Sequence, residues 1–341
     1  MDSVTQILLG ATVGYVVSSK HFGKKSLIIG GIAGVLPDLD FLPFLPINDS
    51  FLYLKYHRSL SHSLLFCVTA PFLIAYLWQR LSVKPIFWTI YGLFFWGFFT
   101  HSLLDCFTSW GTQIFWPFPY RVAWNSIFIV DLFYTLPLLI SIIACYFVRT
   151  YQRAQRWIIR ALVVSSTYLL LSVGIKMYIN TQFEALFHKH AIQWTRYTSR
   201  PSPFNLILWS ATAETASGYY YGMVSLFDRA LSDRLFFTPK KQAIPAEFST
   251  KKTQELLSYT KGFYTIEKQD HSILIHDLRY GFLGDPWLNN PQFVFSYLLS
   301  PREDGLFLTI INPRPKNTTV LLHQLWFRLK GLPQPSPNLL I

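Results

Sequence analysis

The sequence predicts a polytopic α-helical membrane domain of about six membrane segments, the first two short, followed by a soluble α+β or mainly β domain. Four runs, at 63–81, 85–104, 126–148 and 157–179, are apolar over the length a spanning helix needs, about 20 residues. Of 341 residues, 51% are hydrophobic and 14% charged, against about 25% charged in soluble domains. After residue 180 the pattern changes to polar residues, prolines and short β-rich runs. The expected division is therefore residues 1–180 for the membrane domain and 181–341 for the soluble one.

The 30 Phe and 19 Tyr exclude a disordered chain. Two shorter apolar segments, 7–19 and 26–36, come first, and neither is long enough to span comfortably alone. Gly10, Gly14, Gly30, Gly31 and Gly34 would let them approach as a tight hairpin. Basic residues then set an expected orientation. Lys20, Lys24 and Lys25 lie in the first connection, Arg80 and Lys84 in the third, and Arg149, Arg153 and Arg156 in the fifth. With six segments these share one side, which the positive-inside rule makes cytoplasmic. The chain is then an integral protein of a bacterial inner (plasma) membrane, with the N-terminus, the 37–62 and 106–125 connections and the C-terminal domain on the non-cytoplasmic side.

This placement explains much of the net charge of +12 without nucleic acid. Cys67, Cys106 and Cys145 form no C-x-x-C pair. The first residues lack the basic region and cleavage site of a secretory signal and read as retained. In the C-terminal part, 272–276, 293–297 and 306–311 read as strands, 181–194 as a short helix and 332–337 as a loose tail.

The chemistry concentrates in six residues: Asp38, Asp40, His57, His62, His101 and Asp105. The topology puts all six at one membrane face. A lone His or Asp at a helix end is more often a cap or a hydrogen-bonded structural group. Six together are harder to set aside, because ionisable groups are costly in membrane segments and usually functional. Imidazole with carboxylate suits zinc, manganese or iron. His101 and Asp105, four apart, leave one helix face together. His57 and His62, five apart, can share an ion only if the chain turns between them, with Ser59 or Ser61 as an N-cap. Asp40 or Asp38 could instead orient a histidine from behind. Arg58 is a fork donor suited to phosphate or a developing oxyanion. Asp131 could cap a bent helix, pair with Arg121 or support the site. The aromatic loop 108–121 reads mainly as an interfacial belt that would also roof the site. His188 with His190, and His271 with His276, lack matched carboxylate partners in the sequence and read as surface or structural histidines.

At these residues the chain resembles the YdjM-like family of membrane-bound, metal-dependent hydrolases. The matching pieces are the start from Met1 to Gly14, Leu36-Pro37-Asp38-Leu39-Asp40, His57-Arg58-x-x-Ser61-His62-Ser63 and His101-x-x-x-Asp105. Thr108-x-Trp110-Gly111-Thr112-Gln113-x-x-Trp116-Pro117-Phe118 and Asp131-x-x-Tyr134-Thr135 extend the likeness over roughly the first 140 residues. Many members carry a histidine where this chain has Gln6. The resemblance implies an integral membrane hydrolase using divalent metal, distantly similar to zinc-dependent phospholipase C and the zinc-dependent single-strand nucleases.

The expected function is hydrolysis of a phosphoester or other ester in a membrane-associated small molecule or lipid. One to three divalent ions, Zn²⁺ foremost, would be held by Asp38, Asp40, His57, His62, His101 and Asp105, with Arg58 and Asp40 as catalytic groups. The alternative is a non-catalytic metal-binding scaffold or transporter. The lipid bilayer is the expected partner, and nucleic acid ranks behind both readings.

Overall fold

The computed structural model describes residues 1–332 except 45, 46, 48, 233, 285, 287–290, 303, 304 and 315–317. The expected tail lies outside the described residues from Pro333 onward.

Helix α1 (Ser3–Phe22) begins where the Asp2 carboxylate accepts the Thr5 N–H, and ends at Gly23 with φ +55°. Helix α2 (Lys25–Val35) folds back against it. Gly10 and Gly14 lie on Gly30 and Gly34. A Cβ on Gly10 would collide with the Gly30 carbonyl, and one on Gly14 would sit 2.6 Å from Gly30 Cα. The hairpin therefore packs backbone on backbone, as small-residue interfaces do in lipid.

Helix α2 continues as a 3₁₀ helix, Leu36–Phe44, which carries Asp38 and Asp40. The segment expected to be too short to span is thus part of a 20-residue apolar stretch, Lys25–Phe44. Next come α3 (Ser50–Tyr56), a 3₁₀ turn (Leu60–His62), α4 (Leu64–Leu81), α5 (Phe87–Cys106), α6 (Leu132–Phe147) and α7 (Tyr151–Lys189).

Among the described residues three stretches are long and apolar enough to cross a membrane: Lys25–Phe44, Leu64–Leu81 and Tyr151–Lys189. Helices α1 and α5 have the length, with 20 residues each. They fall short in apolarity because they carry the polar side chains that meet inside, among them Gln6, Thr12, His101 and Asp105. Helix α6 is apolar but has 16 residues. On α4 and α7 the exposed residues include Leu65, Phe72, Leu73, Val163 and Leu170. Such outward apolar surface suits lipid rather than water. Inside, Leu9, Val13, Leu104, Ile127, Tyr134 and Leu138 form one core, and Ala33, Cys67, Ile90, Leu93 and Phe98 another.

The short helix expected at 181–194 does not stand alone. It is the last part of α7, whose 39 residues run about 58 Å, roughly twice a hydrocarbon core. Two compact units divide inside this helix. One holds Met1–Pro46, Lys55–Gly174 and Pro203–Asn205, and the other holds the remaining described residues.

The second unit is rich in sheet. Strands β1 (Arg196–Pro201), β2 (Leu208–Glu214), β3 (Gly218–Ser225) and β4 (Phe236–Pro239) form an antiparallel meander. Helix α8 (Lys251–Tyr259) precedes β5 (Tyr264–Gln269) and β6 (Ser272–Asp277). Then come the short pair β7 (Phe282–Leu283) and β8 (Gln292–Phe293), followed by β9 (Ser296–Arg302), β10 (Gly305–Ile311) and helix α9 (Thr318–Leu329). The second sheet runs in the order β10-β9-β6-β5, so its strands do not all follow in sequence. The runs expected at 272–276 and 306–311 lie in β6 and β10. The run at 293–297 is interrupted, its ends falling in β8 and β9.

Candidate metal centre

Four donor side chains reach one point from three parts of the chain. Asp38 comes from the 3₁₀ extension of α2, His62 from the turn before α4, and His101 with Asp105 from one face of α5. One ligand atom of each lies within 4.8 Å of all the others. His62 Nε2 is 3.0 Å from His101 Nε2 and 3.3 Å from Asp38 Oδ1. His101 Nε2 is 3.4 Å from Asp38 Oδ1, and Asp105 Oδ2 is 3.4 Å from His62 Nε2 and 3.7 Å from His101 Nε2. His62, His101 and Asp105 are buried, and the Asp38 side chain keeps 15% of its surface open.

Hydrogen bonds fix which ring nitrogens carry protons. His101 Nδ1 meets the Gly34 carbonyl at 2.6 Å. A carbonyl only accepts, so the proton sits on Nδ1 and the Nε2 lone pair points inward. Ser61 Oγ gives its proton to Asp40 Oδ2 at 2.8 Å and lies 2.8 Å from His62 Nδ1. Having spent its proton, Ser61 accepts from Nδ1–H, and the His62 Nε2 lone pair also faces the centre.

With both rings neutral, four electron-pair donors thus converge. This is repulsive unless a cation joins them. Five of the six separations, 3.0–3.7 Å, bracket the edge of about 3.3 Å of a tetrahedron with ligand bonds of about 2.0–2.1 Å, and the sixth, between Asp38 and Asp105, is within 4.8 Å. The donor set therefore fits one divalent ion. With no metal, a proton takes its place: burial alone would push His62 down, but Asp105 and Asp38 hold its pKa above the ordinary histidine value.

Asp40 and His57 stand beside this group rather than within it. Asp40 Oδ1 is 2.9 Å from His57 Nδ1, and Oδ2 accepts from Ser61 and from the Arg58 N–H. Burial lowers the His57 pKa in spite of Asp40. The turn that separates the histidines is built differently from the expected N-cap. Arg58 takes φ +56°, Ser59 makes no side-chain cap, and Ser63 caps α4 by accepting the Phe66 N–H. This frees Ser61 to link Asp40 with His62.

Arg58 turns inward, with Nη1 on Thr108 at 2.9 Å and Nε 3.0 Å from Asp105 Oδ2. It is therefore already paired with a carboxylate of the cluster. Loop 108–121 holds it there, since the Gln113 N–H donates to the Arg58 carbonyl. Phe115, Phe118 and Tyr120 of that loop are exposed. Asp131 does not pair with Arg121. It caps α6 through the Phe133 and Tyr134 N–H groups and accepts from the Tyr168 hydroxyl, while Arg121 donates to the Lys55 and His57 carbonyls. His276 has a carboxylate partner after all, Glu267 at 3.2 Å, and pairs across the sheet with Ser296.

Sequence reasoning gave four contributors no supporting role at the cluster. Gln6 Nε2 donates to Asp105 Oδ1 at 3.0 Å, and the Met1 backbone nitrogen reaches the same oxygen. The Gly34 carbonyl and Ser61 orient the two histidines. Gln6 Oε1, Asp105 Oδ2 and Arg58 Nε are buried atoms without a hydrogen bond among the described residues, the last two facing each other as an ion pair at 3.0 Å. The one early signal was Gln6 itself, a polar residue in an apolar helix.

The comparisons agree with this picture of a membrane protein. Inner membrane protein YbcI of Escherichia coli (strain K12) is 30% identical over 123 residues, which are 34% of this chain and 66% of that protein. The chain thus covers just under two thirds of the length of this relative. No solved structure matches significantly. The family described as YdjM inner membrane protein matches residues 1–180, more than half of the sequence, and the chain belongs to that family.

Proposed function

We propose that the protein is a membrane-bound metal-dependent hydrolase acting on a phosphoester or other ester in a membrane-associated substrate. The observation that carries this is the set of inward lone pairs on His62 and His101 facing Asp38 and Asp105. We assign these four as the holders of one divalent ion, with Zn²⁺ preferred because imidazole and carboxylate oxygen suit it. Such an ion supplies Lewis acidity, bringing the pKa of water from 15.7 toward about 7.

The chain's own groups then have distinct tasks. Asp40 orients His57, whose ring centre lies 6.1 Å from that of His62, within reach of one water at the site. With its pKa lowered by burial, His57 is neutral at neutral pH and suited to accept a proton. Arg58 spends Nε and Nη1 on Asp105 and Thr108, while Nη2 has no partner among the described residues. That nitrogen is placed to meet negative charge developing on the substrate.

The same proposal keeps six membrane segments, with α1, α5 and α6 adding to the three apolar stretches. The lysine- and arginine-bearing connections are cytoplasmic in a bacterial inner membrane. The site and a C-terminal domain from residue 181 lie on the other side. A second reading, a metal-bound scaffold or transporter without turnover, is favoured by one observation: four protein atoms suffice to close a tetrahedral sphere.

Metal analysis of purified protein and a panel of lipid and soluble phosphoesters test the two. His101→Ala should lose the ion and turnover together, while His57→Ala should keep the ion and lose turnover. Retained metal in His101→Ala removes the site. Bound metal with no turnover by the parent protein on any substrate leaves the scaffold.

A further inference from the structure

The sheet-rich unit holds a half-buried positive charge, Arg200, that no carboxylate among the described residues neutralises. Arg200 on β1 faces Ser210 on β2 across the meander. Its Nε reaches Ser210 Oγ at 3.4 Å, and that is its single hydrogen bond among the described residues. Both terminal nitrogens are without an acceptor there. The guanidinium lies over the Tyr280 ring at 5.4 Å, and Arg279 lies over the same ring at 5.3 Å. Two cations therefore share one aromatic ring.

The nearby carboxylate, Asp277, cannot serve both. Arg279 grips it with two prongs, Nε to Oδ1 at 3.0 Å and Nη2 to Oδ2 at 2.7 Å. Of two guanidinium charges and one carboxylate, one positive charge is left over, and it belongs to Arg200. Burial accordingly pushes the Arg200 pKa down to about 10, with Tyr221, Tyr280 and Asp277 only partly countering it.

The backbone comes close on one side. Gly281 has φ +63°, and a Cβ there would press on the Tyr221 ring and sit 3.2 Å from Arg200 Nη2. Tyr280 and the Gly281 backbone thus lie beside the fork, whose terminal nitrogens make no hydrogen bond among the described residues. A guanidinium set beside an aromatic ring with two unspent prongs matches two oxygens of one tetrahedral oxyanion.

We propose that Arg200, framed by Tyr280, Ser210 and Gly281, is a phosphate-type oxyanion subsite of the C-terminal domain. It goes beyond the metal site and shares no residue with it. The oxyanion could be free phosphate or the phosphate of a lipid headgroup, which present the same oxygens to the fork.

Calorimetric titration of the full chain in neutral detergent, stripped of metal so that the four-residue cluster adds no anion binding, tests the proposal with inorganic phosphate and with glycerol 3-phosphate. The parent protein should bind at least one of them saturably against a constant chloride background. Tighter binding of glycerol 3-phosphate identifies the headgroup source, and tighter binding of phosphate the free ion. Arg200→Gln should weaken binding at least tenfold, and Arg229→Gln, an exposed loop change, should not. Arg200→Lys keeps the charge, and hence the fold, but loses the fork. It too should bind at least tenfold more weakly. No saturable binding by the parent, or parental affinity in Arg200→Lys, overturns the proposal.

Discussion

Replacing Gly34 with alanine should weaken metal binding although Gly34 has no ligand atom in the cluster. The added Cβ would collide with the Gln6 carbonyl and sit 2.9 Å from Gly10 Cα and 3.2 Å from the Gln6 carbonyl carbon. All three are backbone atoms, so no side chain can rotate away. Ordinary contact for a Cβ begins near 3.4 Å, so α1 and α2 must part by roughly half an ångström at Gly10 and by more at Gln6. Overpacking of this kind costs about 1–3 kcal/mol. The movement also carries off two supports of the site. The Gly34 carbonyl orients His101, and Gln6 donates to Asp105. Losing such supports lowers metal affinity about 10–100-fold. The control is Gly174→Ala in α7, where nothing lies within 4 Å of the new Cβ. It should leave affinity unchanged and be neutral or stabilising by up to about 1 kcal/mol. Competition with a chromophoric chelator measures the affinity, and thermal unfolding without metal measures the packing. Parental affinity in Gly34→Ala, or an equal loss in Gly174→Ala, would refute the claim that the glycine hairpin sets the ligand geometry.

Two further outcomes follow from the hydrogen bonds around His62. Because its pKa is raised, the metal-free protein gains stability from protonated His62 that is complete below the unfolded value of about 6.5 and disappears as pH climbs through the higher folded value. Metal must displace that proton, so apparent affinity should rise with pH up to about tenfold per unit below the folded pKa and level off above it; chelator competition at stepped pH checks this, and a flat profile contradicts it. Ser61→Ala removes the acceptor that keeps the His62 proton on Nδ1. It should cost about tenfold or more in affinity, read by the same titration, with the far-UV circular dichroism spectrum unchanged.

What the sequence disclosed depended on whether local spacing carries the relevant geometry. His101 and Asp105 lie on a continuous helix, where a separation of four puts both on one face, and they converge as that rule requires. His57 and His62 looked equivalent because spacing says nothing of the backbone between them. Arg58 takes a left-handed conformation unusual for a residue with a side chain, and this brings His62 in while leaving His57 beside Asp40. Hydropathy located the apolar stretches but misjudged where helices stop. The apolar run at 157–179 ends, yet Phe183, Leu186 and Phe187 continue its buried helical face from Ile179 toward Lys189. A short additional helix was expected there because polarity changed while periodicity did not. The sheet order of the C-terminal unit lay out of reach, since the β6–β9 pairing joins strands separated by β7 and β8.

The partners of the acids argue for one ion rather than two or three. A second ion needs another carboxylate with a free oxygen. Asp40 is the nearest by sequence, and both its oxygens are engaged, one by His57 and the other by Ser61 and the Arg58 N–H. Asp105 gives Oδ1 to Gln6 and the Met1 nitrogen, leaving Oδ2 for the centre. Arg58 beside that same oxygen offsets part of its charge. A carboxylate shared with a guanidinium donates less charge to an ion, which binds more loosely and remains a stronger Lewis acid. A site built only to hold metal gains nothing from that arrangement. The arrangement gathers a compensated ligand, the buried Arg58 guanidinium and the Asp40–His57 pair around one centre, which is what the proposed hydrolase would use.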